Sequence, residues 1–243
     1  VTDSTRLERL APTLTELSDN GARGIVLSHF GRPKGEAQAG MSLRPVADVL
    51  GKILNCNVAF SADCIGQAAE SVINSMASGD IAVLENLRFH AGEESNAPDF
   101  ARALAGLGDV YVNDAFSAAH RAHASTEQLA HLLPNAAGRQ MQAELDALAA
   151  ALDKPDRPVA AVVGGAKVSS KLSVLGNLLE KVDMLIIGGG MANTFLHAQG
   201  VEVGASLCEP DLASKALAIM AKAKRADCEL VLPVDAVVAA GLG

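Results

Sequence analysis

The feature that most constrains the fold is a regular alternation of short apolar runs with amphipathic helices. An apolar run at residues 25–27 is followed by a helical pattern over residues 43–53 and then by a second apolar run at residues 58–60. The same pattern predicts strands at residues 81–84, 110–112, 159–163, 184–187 and 230–232, and helices at residues 66–77, 98–107, 138–152, 169–180 and 211–225. Such alternation is typical of parallel sheets covered by helices on both faces. The sequence therefore predicts an α/β protein with three-layer αβα packing.

The N-terminal segment predicts a further helix, because leucines recur at helical spacing over residues 7–17. Asp3 and Ser4 are candidate N-cap residues, since both side chains can accept a hydrogen bond from a backbone N–H in the first turn. Pro12 lies inside this pattern and should kink or split the helix, because proline lacks the amide hydrogen that the helix needs.

A domain boundary is predicted at residues 153–158, where two prolines and four charged residues make a stiff, exposed connector. We therefore expect one lobe at residues 1–153 and a second at residues 154–243. The helical pattern begins within a few residues of Val1, and the chain stops soon after an apolar run. We accordingly expect two Rossmann-like lobes, both incomplete, in a longer protein.

Composition excludes several classes of function. The net charge of −8 gives no general attraction for nucleic acid or for an anionic membrane. No apolar run approaches the roughly 20 residues that a membrane span needs. The four cysteines contain no C-x-x-C pair, so a structural zinc site is not expected. We expect the cysteines to be reduced thiols in a cytosolic protein. Tryptophan is absent and aromatic residues make up 3% of the chain, so the core must consist of aliphatic side chains.

Basic and imidazole side chains follow three of the predicted strands in the first lobe. They are His29 and Arg32 after the first, Arg88 after the second, and His120, Arg121 and His123 after the third. Because the carboxyl ends of parallel strands share one edge of a sheet, we expect these side chains to converge there. Converging cations on an acidic protein favour an anionic ligand, and the forked guanidinium group suits phosphate or carboxylate.

Metal binding is the rival interpretation of the histidines. His120 and His123 are three residues apart, which is a possible ligand spacing. Arg121 lies between them and would repel a cation, and no carboxylate cluster completes a site. We therefore predict no metal ligands in this chain.

Two glycine turns follow strands in the second lobe. Residues 162–171 combine a strand, Gly164-Gly165 and two lysines four residues apart, and residues 188–190 form a second glycine turn before a helix. Backbone N–H groups, a helix N-terminus and a lysine can together hold phosphate. The patterns of a P-loop and of a dinucleotide fingerprint are absent. Tight strand-to-helix packing remains an open alternative for both turns.

Five of these segments, in this order and spacing, resemble the motifs of phosphoglycerate kinases. They are residues 28–35, residues 84–90, residues 112–116 with 119–125, residues 164–168 and residues 188–192. The resemblance covers essentially the whole chain. It departs from the family at Phe30, where leucine is commoner, and at Ser117, where glycine is common; we expect both differences to be tolerated.

The resemblance implies reversible phosphoryl transfer between ATP and the carboxylate of 3-phosphoglycerate, giving 1,3-bisphosphoglycerate and ADP. The substrate-binding residues that it implies are Arg6, His29, Phe30, Gly31, Arg32, Arg88 and Arg121. The nucleotide-binding residues that it implies are Gly164, Gly165, Lys167, Lys171, Gly188 and Gly189. Arg6 and Lys171 are the expected catalytic residues.

The resemblance also implies ATP or ADP with Mg²⁺, the metal being held mainly by the nucleotide and by residues outside this chain. It implies a cytoplasmic monomer whose partners are 3-phosphoglycerate and ATP, with neither nucleic acid nor membrane. Parts of both lobes that the family uses lie outside residues 1–243, so we expect the isolated chain to be inactive as a kinase. Two other classes of function are alternatives. A noncatalytic anion-binding domain would not bind ATP through Lys171, and a nucleotide-dependent oxidoreductase is disfavoured by the missing dinucleotide fingerprint.

Overall fold

The computed structural model of the chain describes residues 2–153, 155–237 and 239. The chain divides into two compact units, Val1–Leu145 and Asp146–Gly243. The division falls inside a long helix, Arg139–Leu152. The functional boundary expected after residue 153 lies downstream of that division and stays a prediction.

In the first unit, short parallel strands alternate with helices. The strands are β1 (Gly24–Val26), β2 (Val58–Phe60), β3 (Ile81–Val83), β4 (Tyr111–Asn113) and β5 (Asn135–Ala137). The helices are α1 (Thr5–Asp19), α2 (Arg44–Leu54), α3 (Gly66–Ser75), α4 (Ala91–Glu94), α5 (Pro98–Ala105), α6 (Leu129–Leu132) and α7 (Arg139–Leu152), which runs on into the second unit. Shorter helical turns lie at Ala39–Met41, Leu87–Phe89, Phe116–Ala118 and Ala124–Gln128.

The second unit repeats the alternation of strand and helix. Its strands are β6 (Ala160–Gly164), β7 (Met184–Gly188) and β8 (Glu229–Val231). Its other helices are α8 (Leu172–Leu178), α9 (Gly189–Ala198) and α10 (Ala213–Arg225), and α10 is preceded by a 3₁₀ turn at Pro210–Leu212.

Every described strand pairing is parallel. The strand orders are β1-β3-β2, β4-β5 and β6-β7-β8. Gly24 and Val58 both align with Ile81, so the three strands of the first sheet end at the same level. The predicted α/β class with parallel sheets is confirmed. The pairing also places the loops after β1 and β3 side by side.

The cores are mostly aliphatic, as the composition requires. In the first sheet Ala82 and Val83 of β3 are fully buried, and Leu50 of α2 is buried beside Ile81 and Val83. A separate core in the second unit contains Leu185 of β7 and Phe195 of α9. Strand and helix side chains thus pack together in the core of the first sheet and in that of the second unit.

Helix α1 differs from the prediction at its proline. The helix runs without a break through Pro12, so the proline does not split it, and the alternative of a kink stays a prediction. The residues that follow the proline are buried, Leu14 in the core, and Thr13 donates a hydrogen bond from Oγ1 to Asp114 Oδ2 at 2.6 Å. This tertiary packing offsets the hydrogen bond that proline cannot make. At the start of the helix Asp3 accepts the Thr5 N–H at 2.9 Å, and Ser4 donates to Glu8 instead of capping through its side chain.

The first helix of the second unit begins later than predicted. The pattern indicated a helix from residue 169, whereas α8 begins at Leu172. Lys171 donates its backbone N–H to the Val168 carbonyl at 2.9 Å, which makes a turn ahead of the helix. None of the helices in the described part of the chain is long and apolar enough to cross a membrane.

Candidate functional site

The loop after β1 is fastened to the segment after β3. The buried side chain of Asn86 donates from Nδ2 to the carbonyls of Phe30, at 2.8 Å, and of Met41, at 2.9 Å. The Leu87 N–H donates to the Ser28 carbonyl at 3.1 Å. A buried asparagine that satisfies two loop carbonyls fixes the backbone of both loops. The loop that carries His29 and Gly31 is therefore built into the edge of the sheet.

Arg88 is the most buried cation of this edge, with only 7% of its side chain exposed. Its Nη1 donates to the Gly31 carbonyl at 2.7 Å. Its Nε lies 3.2 Å from Glu94 Oε1 but finds no hydrogen-bond partner within the described part of the chain. Gly31 itself has φ +67°, and a Cβ there would lie 2.7 Å from the sulfur of Met41, so this position favours glycine.

His29 lies among the charges that follow three different strands. Its pKa is lowered to about 4, first by burial and then by the positive charges of Arg88 and Arg121. His123 also lowers the pKa of His29, whereas Glu94 raises it. Charges that act on one imidazole lie close to it. We call His29, Arg88, Arg121 and His123 the basic cluster.

The structure thus brings together part of the residue set expected at this edge. The charges of Arg88 and Arg121 both act on His29, and the carbonyls of Phe30 and Gly31, in the loop that carries His29, accept hydrogen bonds from Asn86 and Arg88. Arg32 is exposed in that loop, and Arg6 is exposed on α1. Neither Arg6 nor Arg32 is among the charges that shift the pKa of His29, so their part in a site stays a prediction. His120 is exposed as well.

Two acidic residues of the site were missed by sequence reasoning. Glu93 is 1% exposed and accepts hydrogen bonds from the Ser125 N–H at 3.0 Å and from Ser125 Oγ at 2.6 Å. It also lies 3.8 Å from Nδ1 of His123. Glu93 therefore holds the segment that carries Arg121, and Glu94 faces Arg88. One signal could have found both: a cluster of cations needs nearby counter-charges, and residues 93–94 directly follow the Arg88 motif.

A second polar group lies next to β2. His90 Nε2 is 2.7 Å from Asp63 Oδ1, and the same oxygen accepts the Cys64 N–H at 2.6 Å. The ring of His90 stacks on Phe100 with centroids 5.2 Å apart, and burial raises the pKa of the Cys64 thiol. Within this group Asp63 Oδ1 is therefore already engaged by His90 and by the Cys64 N–H. His120 and His123, the metal alternative, join no group of three potential ligands in the described part of the chain.

The two glycine turns of the second unit pack against each other. The Met191 N–H donates to the Gly165 carbonyl at 2.8 Å. Gly189 has φ +66°, and a Cβ there would lie 3.0 Å from the Gly165 oxygen. Tight packing therefore accounts for glycine at residue 189. A contact of Gly164, Gly165, Gly188 or Gly189 with phosphate stays a prediction.

Lys167 and Lys171 are exposed on the segment between β6 and α8. Glu209 reaches this segment and accepts from Ser169 Oγ at 2.7 Å and from the Ser169 N–H at 3.0 Å. These hydrogen bonds, together with the charge of Lys167, lower the pKa of the Glu209 carboxyl. The segment thus presents two exposed cations, and the Ser169 N–H is already bonded to a carboxylate.

A half-buried histidine and a buried arginine at the carboxyl edge of a parallel sheet are typical of α/β proteins that bind small anions there. Comparison with known proteins defines the family. The family model for phosphoglycerate kinase matches residues 1–242. The chain belongs to the phosphoglycerate kinase family.

Curated relatives agree with this assignment. Phosphoglycerate kinase of Methylorubrum extorquens strain PA1 is 62% identical over 239 residues, and that of Azorhizobium caulinodans is 63% identical over 238 residues. Each match covers 98% of this chain and 60% of the relative. The chain therefore spans about three fifths of the length of these relatives.

Solved structures show the same fold. The structure of phosphoglycerate kinase from Coxiella burnetii matches with a TM-score of 0.83 and 42% identity, over 96% of this chain and 59% of that one. Phosphoglycerate kinase from Pyrococcus horikoshii matches with a TM-score of 0.71 and 32% identity, over 92% of this chain and 56% of that one.

Proposed function

We propose that the chain carries the phosphoglycerate-binding lobe, residues 1–153, and the first part of the ATP-binding lobe, residues 154–243, of a phosphoglycerate kinase. The whole enzyme would transfer a phosphoryl group reversibly between ATP and the carboxylate of 3-phosphoglycerate, as a step of glycolysis. The observation that carries the proposal is that the charges of Arg88 and Arg121 both lower the pKa of His29, although the three residues follow three different strands. The family membership adds the identity of the ligands.

The proposed substrate site is the basic cluster together with the loop after β1. Its residues are Arg6, His29, Phe30, Gly31, Arg32, Arg88 and Arg121. A guanidinium group has five N–H donors, and only one described hydrogen bond, to the Gly31 carbonyl, uses a donor of Arg88. His29 is neutral at pH 7 because its pKa is about 4, so one ring nitrogen can donate to an anion without adding a charge that burial would penalise.

The proposed nucleotide site is the segment after β6 with the turn after β7. Lys167 and Lys171 would contact the phosphates of ATP, because their side chains are exposed. Gly164, Gly165, Gly188 and Gly189 would let the backbone come close to the nucleotide. The Met191 N–H is already bonded to Gly165, so it is not among the donors we assign to phosphate.

The chemistry needs charge stabilisation more than proton transfer. The acceptor is a carboxylate that is already ionised at pH 7, so no general base has to activate it. The barrier comes from bringing anions together, and Arg6 and Lys171 are the residues that we propose to stabilise the transferring group. Closure of two lobes would exclude water from the reacting atoms.

ATP or ADP would be bound together with Mg²⁺. Mg²⁺ takes oxygen ligands. The one group of three potential ligands in the described part of the chain is Asp63, Cys64 and His90, which offers a single carboxylate beside a thiol and an imidazole. The described residues therefore do not fit a protein-bound magnesium site.

The cellular location, oligomeric state and ligands of the protein are also proposed from the family. We propose a cytoplasmic monomer that acts on 3-phosphoglycerate and ATP and binds neither nucleic acid nor membrane. The net charge of −8 supports the last two points, because polyanions are repelled by an acidic protein.

Calorimetric titration of the 243-residue chain with 3-phosphoglycerate tests the proposal. We expect saturable binding that glycerate, which lacks the phosphate, does not reproduce. Equal binding of glycerate and 3-phosphoglycerate would contradict a phosphate site. In a coupled kinase assay we expect no turnover, because the chain spans only 60% of the length of its relatives; normal turnover would show that expectation to be wrong.

A further inference from the structure

Glu94 lies beside the buried Arg88 without making a hydrogen bond to its Nε. Arg88 is more than nine-tenths buried, and its Nε has no hydrogen-bond partner within the described residues. Glu94 Oε1 lies 3.2 Å from that nitrogen without the alignment of a hydrogen bond, and 43% of the Glu94 side chain is exposed. The carboxylate is thus close enough to neutralise the guanidinium, yet it can turn out into water.

The position of Glu94 matters because its carboxylate is the counter-charge that faces Arg88 in the basic cluster. The positive charges of Arg88 and Arg121 act on His29 in one direction, and Glu94 acts on it in the other. A buried guanidinium without a counter-charge is costly. In the ligand-free protein Glu94 reduces that cost. When an anion arrives, Glu94 becomes a like charge at the same place.

We infer that Glu94 neutralises Arg88 in the ligand-free protein, and that the phosphate or carboxylate of the ligand displaces Glu94 from Arg88 on binding. This inference rests on the proposed function, since it concerns the same site. Glu94 would lower the affinity for anions. It would also stabilise the buried side chain of Arg88 when no ligand is bound. Two effects of opposite sign follow from removing its charge: tighter anion binding and a less stable ligand-free protein.

The test compares Glu94→Gln and Glu94→Ala with the wild-type chain. Affinity for 3-phosphoglycerate and for inorganic phosphate is measured by calorimetry, and the unfolding temperature is measured with and without each ligand. We expect both variants to bind 3-phosphoglycerate roughly threefold to tenfold more tightly at low salt. The gain should shrink as the ionic strength rises. The unfolding temperature should be lower than that of the wild type without ligand and should rise more when ligand is added.

The matched control is Glu70→Gln, which makes the same change of net charge at an exposed position on α3 and should leave the affinity unchanged. If Glu94 only orients Arg88, both Glu94 variants will bind more weakly than the wild type, and the inference is overturned. Affinity equal to that of the wild type overturns it as well. A wild-type chain that binds neither anion overturns the proposed function together with this inference, whereas the first two results leave the proposed function standing.

Discussion

At the scale of single residues, the site depends on a guanidinium group held in place by the backbone. Arg88 donates to the carbonyl of Gly31, in a loop that Asn86 fixes from the other side. A charge that is buried and fixed in this way is preorganised, so little entropy is lost when an anion binds. The direction of the guanidinium is therefore set before the ligand arrives.

Replacement of Arg88 by alanine should weaken binding of 3-phosphoglycerate by about tenfold or more, because charged hydrogen bonds are lost. Calorimetry on the folded variant measures the change. Arg102→Ala is the matched control, since Arg102 is an exposed arginine on α5 that pairs with Asp99. Equal losses in the two variants would show that the effect is one of overall charge.

His29 should make the first unit less stable in mild acid. Its pKa in the fold is about 4, below the value of 6.5 for a free imidazole, so between these two values the unfolded chain binds the extra proton. The stability that His29 contributes is full above pH 6.5 and is lost as the pH falls towards 4. Urea unfolding followed by the fluorescence of Tyr111, the single tyrosine of the chain, reports on this unit.

The variant His29→Gln should flatten this pH dependence, because glutamine does not titrate. His197→Gln removes an exposed histidine from the second unit and should leave the signal from Tyr111 unchanged. A slope in His29→Gln as steep as in the wild type would assign the acid sensitivity to other groups.

At the scale of secondary-structure elements, Asp114 joins three parts of the first unit. The residue follows β4, accepts from Thr13 of α1 at 2.6 Å and accepts the Met141 N–H of α7 at 2.9 Å. Gly138 makes room for it, because a Cβ at that position would lie 2.7 Å from the Cβ of Asp114 and overlap its carboxyl group. One carboxylate thus orients two helices against a strand.

The substitution Gly138→Ala should therefore destabilise the first unit by about 2–4 kcal/mol, through overlap and the loss of these hydrogen bonds. Gly40→Ala is the control, since no atom lies within 4 Å of a Cβ added there. Urea unfolding followed by Tyr111 fluorescence gives both values. A Gly138→Ala protein as stable as the wild type would mean that Asp114 can move without cost.

The strands that the sequence predicted are those with apolar runs. Strand β3 is buried along its whole length, and the prediction for residues 81–84 matched it almost to the residue. Strand β5, an Asn-Ala-Ala segment exposed at every position, has no apolar or β-branched signal and was missed. The unbroken passage of α1 through Pro12 was also unpredictable, because the packing that permits it comes from residues distant in sequence, such as Asp114.

At the scale of the whole molecule, the candidate site was predictable in part. Topology alone indicated that His29, Arg88 and Arg121 would meet, because parallel strands end at one edge. Glu93 and Glu94 were missed because adjacent acidic residues in a helix are usually solvated; the need of the predicted cations for counter-charges was the one signal that pointed to them. The same limit applies to the glycines of the second unit, where the sequence could not separate packing from phosphate binding.

The two units have separate sheets and separate cores, so the two proposed ligand sites should respond to different substitutions. Lys171→Ala should weaken ATP binding by about tenfold, because an exposed lysine contributes as a point charge to phosphate. It should leave the affinity for 3-phosphoglycerate unchanged, whereas Arg88→Ala should have the reverse effect. Lys215→Ala, an exposed lysine of α10, makes the same change of charge and is the control. Calorimetric titration of each variant with each ligand gives the full comparison. If Lys171→Ala bound ATP as the wild type does, the nucleotide role of this lysine would be wrong; if it also lost 3-phosphoglycerate, the change would be a global loss of folding.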